Sequence, residues 1–254
     1  MAKKPAVSDE ALVRSLGAYA GMVDKVLTDP ERWLGVDDDP DEPTQGLPQR
    51  ALDAVRDRAL GTVTPASDDW AQQPVEERVE WWVDRIAVGA GFAAATPRVA
   101  GALSDRLPLQ DTLGAAAAGL AVCAVAREHG ATEPAQWVPL LSQVLFDRRL
   151  EAAPAVVPDS TESEDKLLAR DEDEEPHPGS VLAALGRGAR HSAQTLWRLA
   201  RTFRGIQDLL DERPRGGFLA RTLAKVPVVG VAGGWLDERG AIQKAAKETV
   251  TLLA

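Results

Sequence analysis

Cysteine is almost absent from this sequence: Cys123 is the only one in 254 residues, so no intramolecular disulfide can form. Disulfide frameworks are typical of small secreted domains that fold in oxidising compartments. The residues beside Cys123 are apolar, which favours an inert thiol packed inside the protein over a reactive thiolate. The sequence therefore gives no indication of an oxidising compartment.

Aromatic residues are also scarce, since the chain has one tyrosine and four phenylalanines beside seven tryptophans. The apolar share of 44% comes mainly from alanine, leucine and valine. Alanine and leucine favour helices, whereas strands are enriched in aromatic and β-branched residues. We therefore predict an all-α fold, a multi-helix bundle whose central helices are rich in glycine and alanine and pack closely.

Long hydrophobic runs are missing. The longest uncharged apolar run, residues 112–126, is shorter than the roughly 20 residues that a helix needs to span a bilayer. The first residues, from Met1 to Pro5, lack the apolar region of a secretory signal. We expect no transmembrane segment and a cytoplasmic location, at most peripheral to a membrane.

Catalytic and metal-binding motifs are missing as well. His129, His177 and His191 are scattered, without a second ligand at the helical spacing that a zinc site needs. The acidic loop from Asp37 to Glu42 lacks the glycine and the glutamate of a calcium-binding EF-hand loop. No Gly-x-Ser-x-Gly nucleophile elbow occurs. We predict a non-enzymatic protein without catalytic residues, cofactor or metal ion.

Helical periodicity and capping signals predict where the helices lie. Ser8 caps the first helix and Asp29-Pro30 ends it, while Gly130 ends the helix that contains Cys123. Prolines and charge break the pattern elsewhere. The predicted helices cover approximately residues 8–29, 49–60, 74–95, 109–129, 132–150, 180–210 and 237–253.

The helix over residues 74–95 carries acidic side chains beside two tryptophans. Glu76, Glu80 and Asp84 fall on one face, which predicts a solvated stripe rather than a catalytic set. Trp81 and Trp82 lie beside that stripe.

Small residues are concentrated in three segments, where glycine lets helix backbones approach closely. Two interpretations stay open: a tight core, or a surface that lies on or partly enters a membrane. A phosphate-binding loop is disfavoured because no Lys-Ser/Thr pair follows the last segment. The candidate residues for helix packing or membrane contact are Gly89, Gly91, Gly114, Gly119, Pro227, Gly230, Gly233 and Gly234.

Charge is distributed unevenly around the net value of −10. Residues 151–178 contain prolines and the run from Asp171 to Glu175, which predicts a disordered acidic linker. The linker separates residues 1–150, the first part of a helical bundle, from residues 179–254, which complete the same domain. Whether the linker masks the basic residues that follow it stays open.

The segment after the linker is basic and amphipathic. Such a helix binds anionic lipid headgroups or nucleic-acid phosphates, and it can also be a solvated face or a partner for the linker. Nucleic acid is disfavoured because interleaved aromatics are missing. The candidate residues for binding an anionic surface are Arg187, Arg190, Arg198, Arg201 and Arg204.

Three segments resemble the bacterial EcsC-like family. They are Ile86-Ala-Val-Gly89-Ala-Gly91 after the tryptophans; Leu109-Gln-Asp111 leading to Ala126-Arg-Glu-His129-Gly130; and Val226-Pro227-Val228-Val229-Gly230 with a terminal helix. The resemblance covers residues 70–150 and 195–254. It implies a helical protein at a cytoplasmic or membrane-peripheral location, and it identifies no catalytic residues. The acidic insertion and the residues before 70 depart from the family pattern.

Together these features predict an accessory protein that docks on the cytoplasmic face of a membrane or on a membrane complex. The expected partners are an anionic membrane surface or a protein of such a complex. The alternative is a scaffold without a lipid role, which would recruit a protein partner through the acidic linker and exposed tryptophans. The oligomeric state stays open.

Overall fold

The computed structural model describes residues 8–34, 63–95, 109–150, 187–211 and 230–254. Within these ranges the chain forms α-helices and no strand, which confirms the predicted all-α bundle. A 3₁₀ turn, Trp70–Gln72, precedes the third helix. The helices are α1 (Asp9–Thr28), α2 (Pro30–Leu34), α3 (Val75–Ala95), α4 (Leu109–Glu128), α5 (Pro134–Phe146), α6 (Arg187–Asp211) and α7 (Gly230–Leu253).

Helix α4 lies at the centre of the bundle. Every residue from 115 to 126 is buried, and α4 packs against α1, α3, α5, α6 and α7. A helix that is apolar on all sides has no solvent face, so it is stable only where other helices surround it. Its run of alanines and glycines keeps it narrow enough for these neighbours.

At Gly119, the Tyr19 side chain of α1 packs directly against the backbone of α4. The Tyr19 hydroxyl donates a hydrogen bond to the carbonyl oxygen of Ala116 at 2.6 Å. A Cβ atom at position 119 would lie 2.8 Å from that hydroxyl oxygen and 3.0 Å from two ring carbons. Burial raises the pKa of Tyr19 well above its usual value, and nearby Cys123 adds to the shift. The phenol is therefore neutral and remains a donor.

The structure differs from the prediction where the first helix ends. Ser8 caps α1 as expected, accepting a hydrogen bond from the Ala11 amide at 3.2 Å. Asp29-Pro30 ends α1, but it also begins α2. Proline suits the first helical position because the missing N–H needs no partner there, and Asp29 Oδ1 accepts the Arg32 amide at 3.1 Å. The predicted stop is thus a junction between two helices.

The other helix ends described below are determined by residues close to them in the sequence. Gly130 has φ of +92°, the conformation expected just after a helix. Glu133 and Gln136 form a capping box at the start of α5. The prediction that this helix reaches residue 150 is wrong, because Asp147 turns left-handed with φ of 49° and ends it at Phe146.

Helix α7 begins at Gly230, earlier than the predicted residue 237, and includes Gly233 and Gly234. Each glycine destabilises a helix by roughly 1 kcal/mol relative to alanine, so the glycine-rich residues at the start of α7 were not predicted to be helical. Contacts of α7 with α3, α4 and α5 outweigh that cost. Since α6 and α7 both pack on α3 and α4, the segments on either side of residues 151–178 form one bundle.

Several predicted features lie outside the described residues. These are the acidic loop from Asp37 to Glu42, the helix near residues 49–60, the linker 151–178 and Pro227.

We expect Gly119→Ala to lower the free energy of unfolding by about 1–3 kcal/mol, because the added Cβ would collide with a buried, hydrogen-bonded side chain. Gly114→Ala is the matched control in the same helix, since nothing lies within 4 Å of its Cβ position. There the better helix propensity of alanine should stabilise the protein by up to about 1 kcal/mol. Urea unfolding followed by circular dichroism measures both; equal effects would contradict the close approach.

Candidate functional site

Helix α6 is anchored in the bundle by its apolar side. Phe203 stacks on Phe146 at 5.8 Å and meets the edge of Tyr19 at 5.5 Å. At Gly89 of α3, a Cβ atom would lie 3.0 Å from Cβ of Ser192, so α3 and α6 approach closely. The buried apolar residues of α6 are Ala193, Leu196, Leu199, Ala200 and Phe203.

The arginines of α6 occupy positions on another side of the helix. At about 100° per residue, all five positions fall within an arc of about 120° that excludes the buried apolar positions. From residue 187 to residue 204 the helix contains no aspartate or glutamate. This set, which we call the arginine face, comprises Arg187, Arg190, Arg198, Arg201 and Arg204.

Two side chains of the arginine face are described. Arg201 is exposed. Arg198 is half-buried, and its guanidinium carbon lies 5.7 Å from the centre of the Trp33 ring, a cation–π distance. Arg187, Arg190 and Arg204 have a helical backbone, and their side chains lie outside the described residues.

Helix α2 is fastened to α6 through its last carbonyl groups. The Thr195 hydroxyl donates to the Trp33 carbonyl at 2.5 Å. The Leu34 carbonyl accepts from the Ser192 hydroxyl at 2.8 Å and from Arg85 Nη2 at 2.5 Å. Carbonyls at a helix C-terminus have no partner within the helix, so these donors complete the end of α2.

Arg85 brings a positive charge into the interior at this junction. Burial lowers the pKa of Arg85 to about 10, which still leaves the guanidinium protonated at neutral pH. The C-terminal end of a helix carries a partial negative charge, which favours the positively charged Arg85 as a donor to the end of α2. Arg85 therefore links α3 to the α2–α6 junction.

The glycines proposed for packing or membrane contact do not form one surface. Gly89 and Gly119 are buried, and they face α6 and Tyr19 respectively. Gly91 and Gly114 are half-buried. Gly230, Gly233 and Gly234 belong to the first turns of α7. The two buried positions thus serve the interior of the bundle.

A cluster of tryptophans around one carboxylate was not anticipated. Glu128 Oε1 accepts the indole N–H of Trp82 at 2.8 Å and of Trp70 at 3.3 Å, and Glu128 Oε2 pairs with Arg78 at 3.1 Å. The rings of Trp70, Trp81 and Trp82 meet edge to face, with centres 5.0 to 6.4 Å apart.

This cluster bears on the exposed tryptophans that the scaffold alternative requires. Trp82 is 2% exposed and Trp81 is half-buried. Glu128 joins residues that lie 46 and 58 positions away in the chain. No spacing rule within one helix could have identified such partners.

The acidic stripe of α3 also needs a correction. Glu76 and Glu80 are exposed, as predicted. Asp84 instead accepts Arg239 Nη2 of α7 at 2.7 Å, and both side chains are largely covered. Asp84 therefore joins α3 to α7 rather than facing solvent.

Cys123 and His129 lie as the sequence predicts. Cys123 is fully buried, and burial, with a smaller effect of Asp24, raises the pKa of its thiol. His129 is exposed just after α4. Within the described ranges, no three His, Cys, Asp or Glu side chains come close enough to hold a metal ion.

Comparisons with protein-family models, with curated proteins and with solved structures find no match to this chain. None of the helices in the described part of the chain combines the length and the apolar character that crossing a membrane requires. The relation to the EcsC-like family therefore stays a prediction.

We expect Glu128→Ala to lower the free energy of unfolding by about 3 kcal/mol, because it leaves a mostly buried Arg78 without its carboxylate and removes the acceptor of two indoles. The indole fluorescence of the folded protein should change as well. Glu80→Ala, an exposed carboxylate of α3, is the control and should change stability by no more than about 0.5 kcal/mol. Similar unfolding curves for the two variants would show that the cluster does not stabilise the fold.

Proposed function

We propose that this protein is an accessory protein that docks on an anionic membrane surface through the arginine face of α6. One observation carries the proposal: α6 buries its apolar side in the bundle, while Arg201 on another side of the same helix is exposed. A rigid helix with this arrangement can present several guanidiniums to a surface at once.

Local charge matters more than net charge for such contact. The chain as a whole carries −10. Exposed charges farther away than the Debye length, about 8 Å at physiological salt, are largely screened. A basic residue near an anionic leaflet contributes about 1 kcal/mol, so a few arginines are enough for measurable binding.

The mode of binding should be electrostatic rather than insertive. An amphipathic helix inserts by burying its apolar side among lipid chains. In α6 that side already packs against the bundle, where Leu196, Leu199 and Phe203 are at most 1% exposed. Insertion would require the helix to leave the core, so binding should weaken with salt.

The scaffold alternative predicts an exposed apolar patch. In the part of the chain that the structure describes, the large apolar side chain that is exposed is Leu252, at 43%. Trp82 is buried and Trp81 is half-buried in the cluster around Glu128, so neither is one of the exposed tryptophans that this alternative requires. The arginine face is therefore the better supported candidate.

We expect the double variant Arg201→Glu/Arg204→Glu to bind anionic vesicles at least about 30-fold more weakly than the wild-type protein. Each arginine near the surface contributes about 1 kcal/mol to binding, and the substitution removes this attraction and replaces it with repulsion. The measurement is co-sedimentation with phosphatidylserine/phosphatidylcholine vesicles at low salt. Neutral phosphatidylcholine vesicles and high salt should abolish wild-type binding.

Arg14→Glu/Arg149→Glu is the matched control, because it makes the same change in net charge at exposed positions of α1 and of the segment after α5. It should retain most of the wild-type affinity. Equal loss in both double variants would mean that net charge, not the arginine face, governs binding. No binding by the wild-type protein would reject the proposed function.

A further inference from the structure

We infer that Arg32 and Trp33 of α2 extend the arginine face into a contact site for the phosphate group of an anionic phospholipid, an inference that rests on the proposed function. Neither residue belongs to α6, and neither was a candidate from the sequence. The structure brings them beside Arg198, which lies far away along the chain.

The geometry gathers two guanidiniums at one indole. The guanidinium carbon of Arg32 lies 5.0 Å from the centre of the Trp33 ring, and that of Arg198 lies 5.7 Å from the same centre. Arg32 is exposed and Trp33 is half-buried. Both guanidiniums are positively charged, so an anion that approaches the Trp33 ring is attracted to each of them.

The backbone of this site is held in place. Thr195 donates to the Trp33 carbonyl, and Ser192 and Arg85 donate to the next carbonyl, that of Leu34. Trp33 therefore stays beside α6 without help from a ligand. A site whose parts are already ordered loses less entropy when it binds.

The chemistry of the side chains fits a phosphate at a membrane surface. Guanidinium groups bind phosphate oxygens through paired N–H donors. An indole with an apolar body and a polar edge is favoured at the level of lipid headgroups. Glu31 is exposed and lies next to Arg32, and Asp29 accepts the Arg32 amide, so two acidic groups lower the positive potential at this site.

A lipid phosphate fits better than a nucleic-acid phosphate. Proteins that bind single strands stack successive bases on several aromatic rings. Among the residues that the structure describes, Arg32 and Arg198 share one indole, that of Trp33, whose ring is already in contact with guanidiniums. The site can therefore bind a phosphate group but offers no platform for bases.

The first test compares Arg32→Ala with Arg149→Ala, which removes an equally exposed arginine after α5. With phosphatidylserine/phosphatidylcholine vesicles at low salt, we expect Arg32→Ala to weaken binding about fivefold and Arg149→Ala to leave it within about twofold. Thermal unfolding by circular dichroism should be unchanged for both variants.

The second test reports the position of Trp33 directly. Phospholipids brominated near the headgroup quench indoles that lie at the membrane surface. Wild-type fluorescence should fall on binding such vesicles, and Trp33→Phe, which keeps an aromatic ring, should bind while losing most of that quenching. Trp137→Phe is the control, because Trp137 is fully buried in α5, where its indole donates to the Ala131 carbonyl at 2.6 Å, and it should keep the quenching.

The outcomes separate the inference from the proposed function. If the wild-type protein does not bind anionic vesicles, both fail. If it binds but Arg32→Ala matches Arg149→Ala and Trp33→Phe keeps its quenching, the inference alone is overturned. Weaker binding of Arg32→Ala to a single-stranded oligonucleotide, with vesicle binding unchanged, would also overturn it in favour of nucleic acid.

Discussion

The close approach of neighbouring helices to α4 is the constraint on which the rest of the structure depends. Residues 115–126 are buried without a gap, and five other helices contact this one. Bulkier side chains would push the neighbours apart, and polar ones would need partners that an apolar centre does not supply. At Gly119 the space is filled by Tyr19, whose hydroxyl bonds to the backbone of α4 itself.

From α4 the consequences extend outward to the candidate site. Helix α6 reaches the core because Gly89 lets α3 come close to Ser192, and its apolar side then faces inward. That orientation leaves Arg201 exposed and Arg198 half-buried. The α2–α6 junction follows, since Ser192 and Thr195 on the flank of α6 donate to the end of α2 and so place Trp33 beside Arg198. The position of the basic surface thus results from packing of small residues in the interior.

Features governed by neighbouring residues could be predicted from the sequence, and contacts between distant residues could not. Ser8, Gly130 and the start of α5 were identified because a cap depends on residues within one turn. The arginines of α6 were found because helical periodicity puts them on one face. The pairing of Asp84 with Arg239, the cluster around Glu128 and the contact of Trp33 with Arg198 join different helices, so they depend on the packing of the whole bundle. Helix α7 begins earlier in the sequence than predicted for the same reason, because its tertiary contacts outweigh the poor helix propensity of glycine.

The thiol of Cys123 offers the most direct measurement of this account, because it lies in the middle of α4 and is the only cysteine in the chain. Burial raises the pKa of this thiol and shields it from reagents, so labelling requires α4 to be exposed. The rate of labelling by a small thiol reagent, measured across urea concentrations, gives the free energy of that opening. The account predicts a value equal to the global free energy of unfolding. Labelling that proceeds much faster than global unfolding allows would show that α4 is not enclosed at the centre of the bundle.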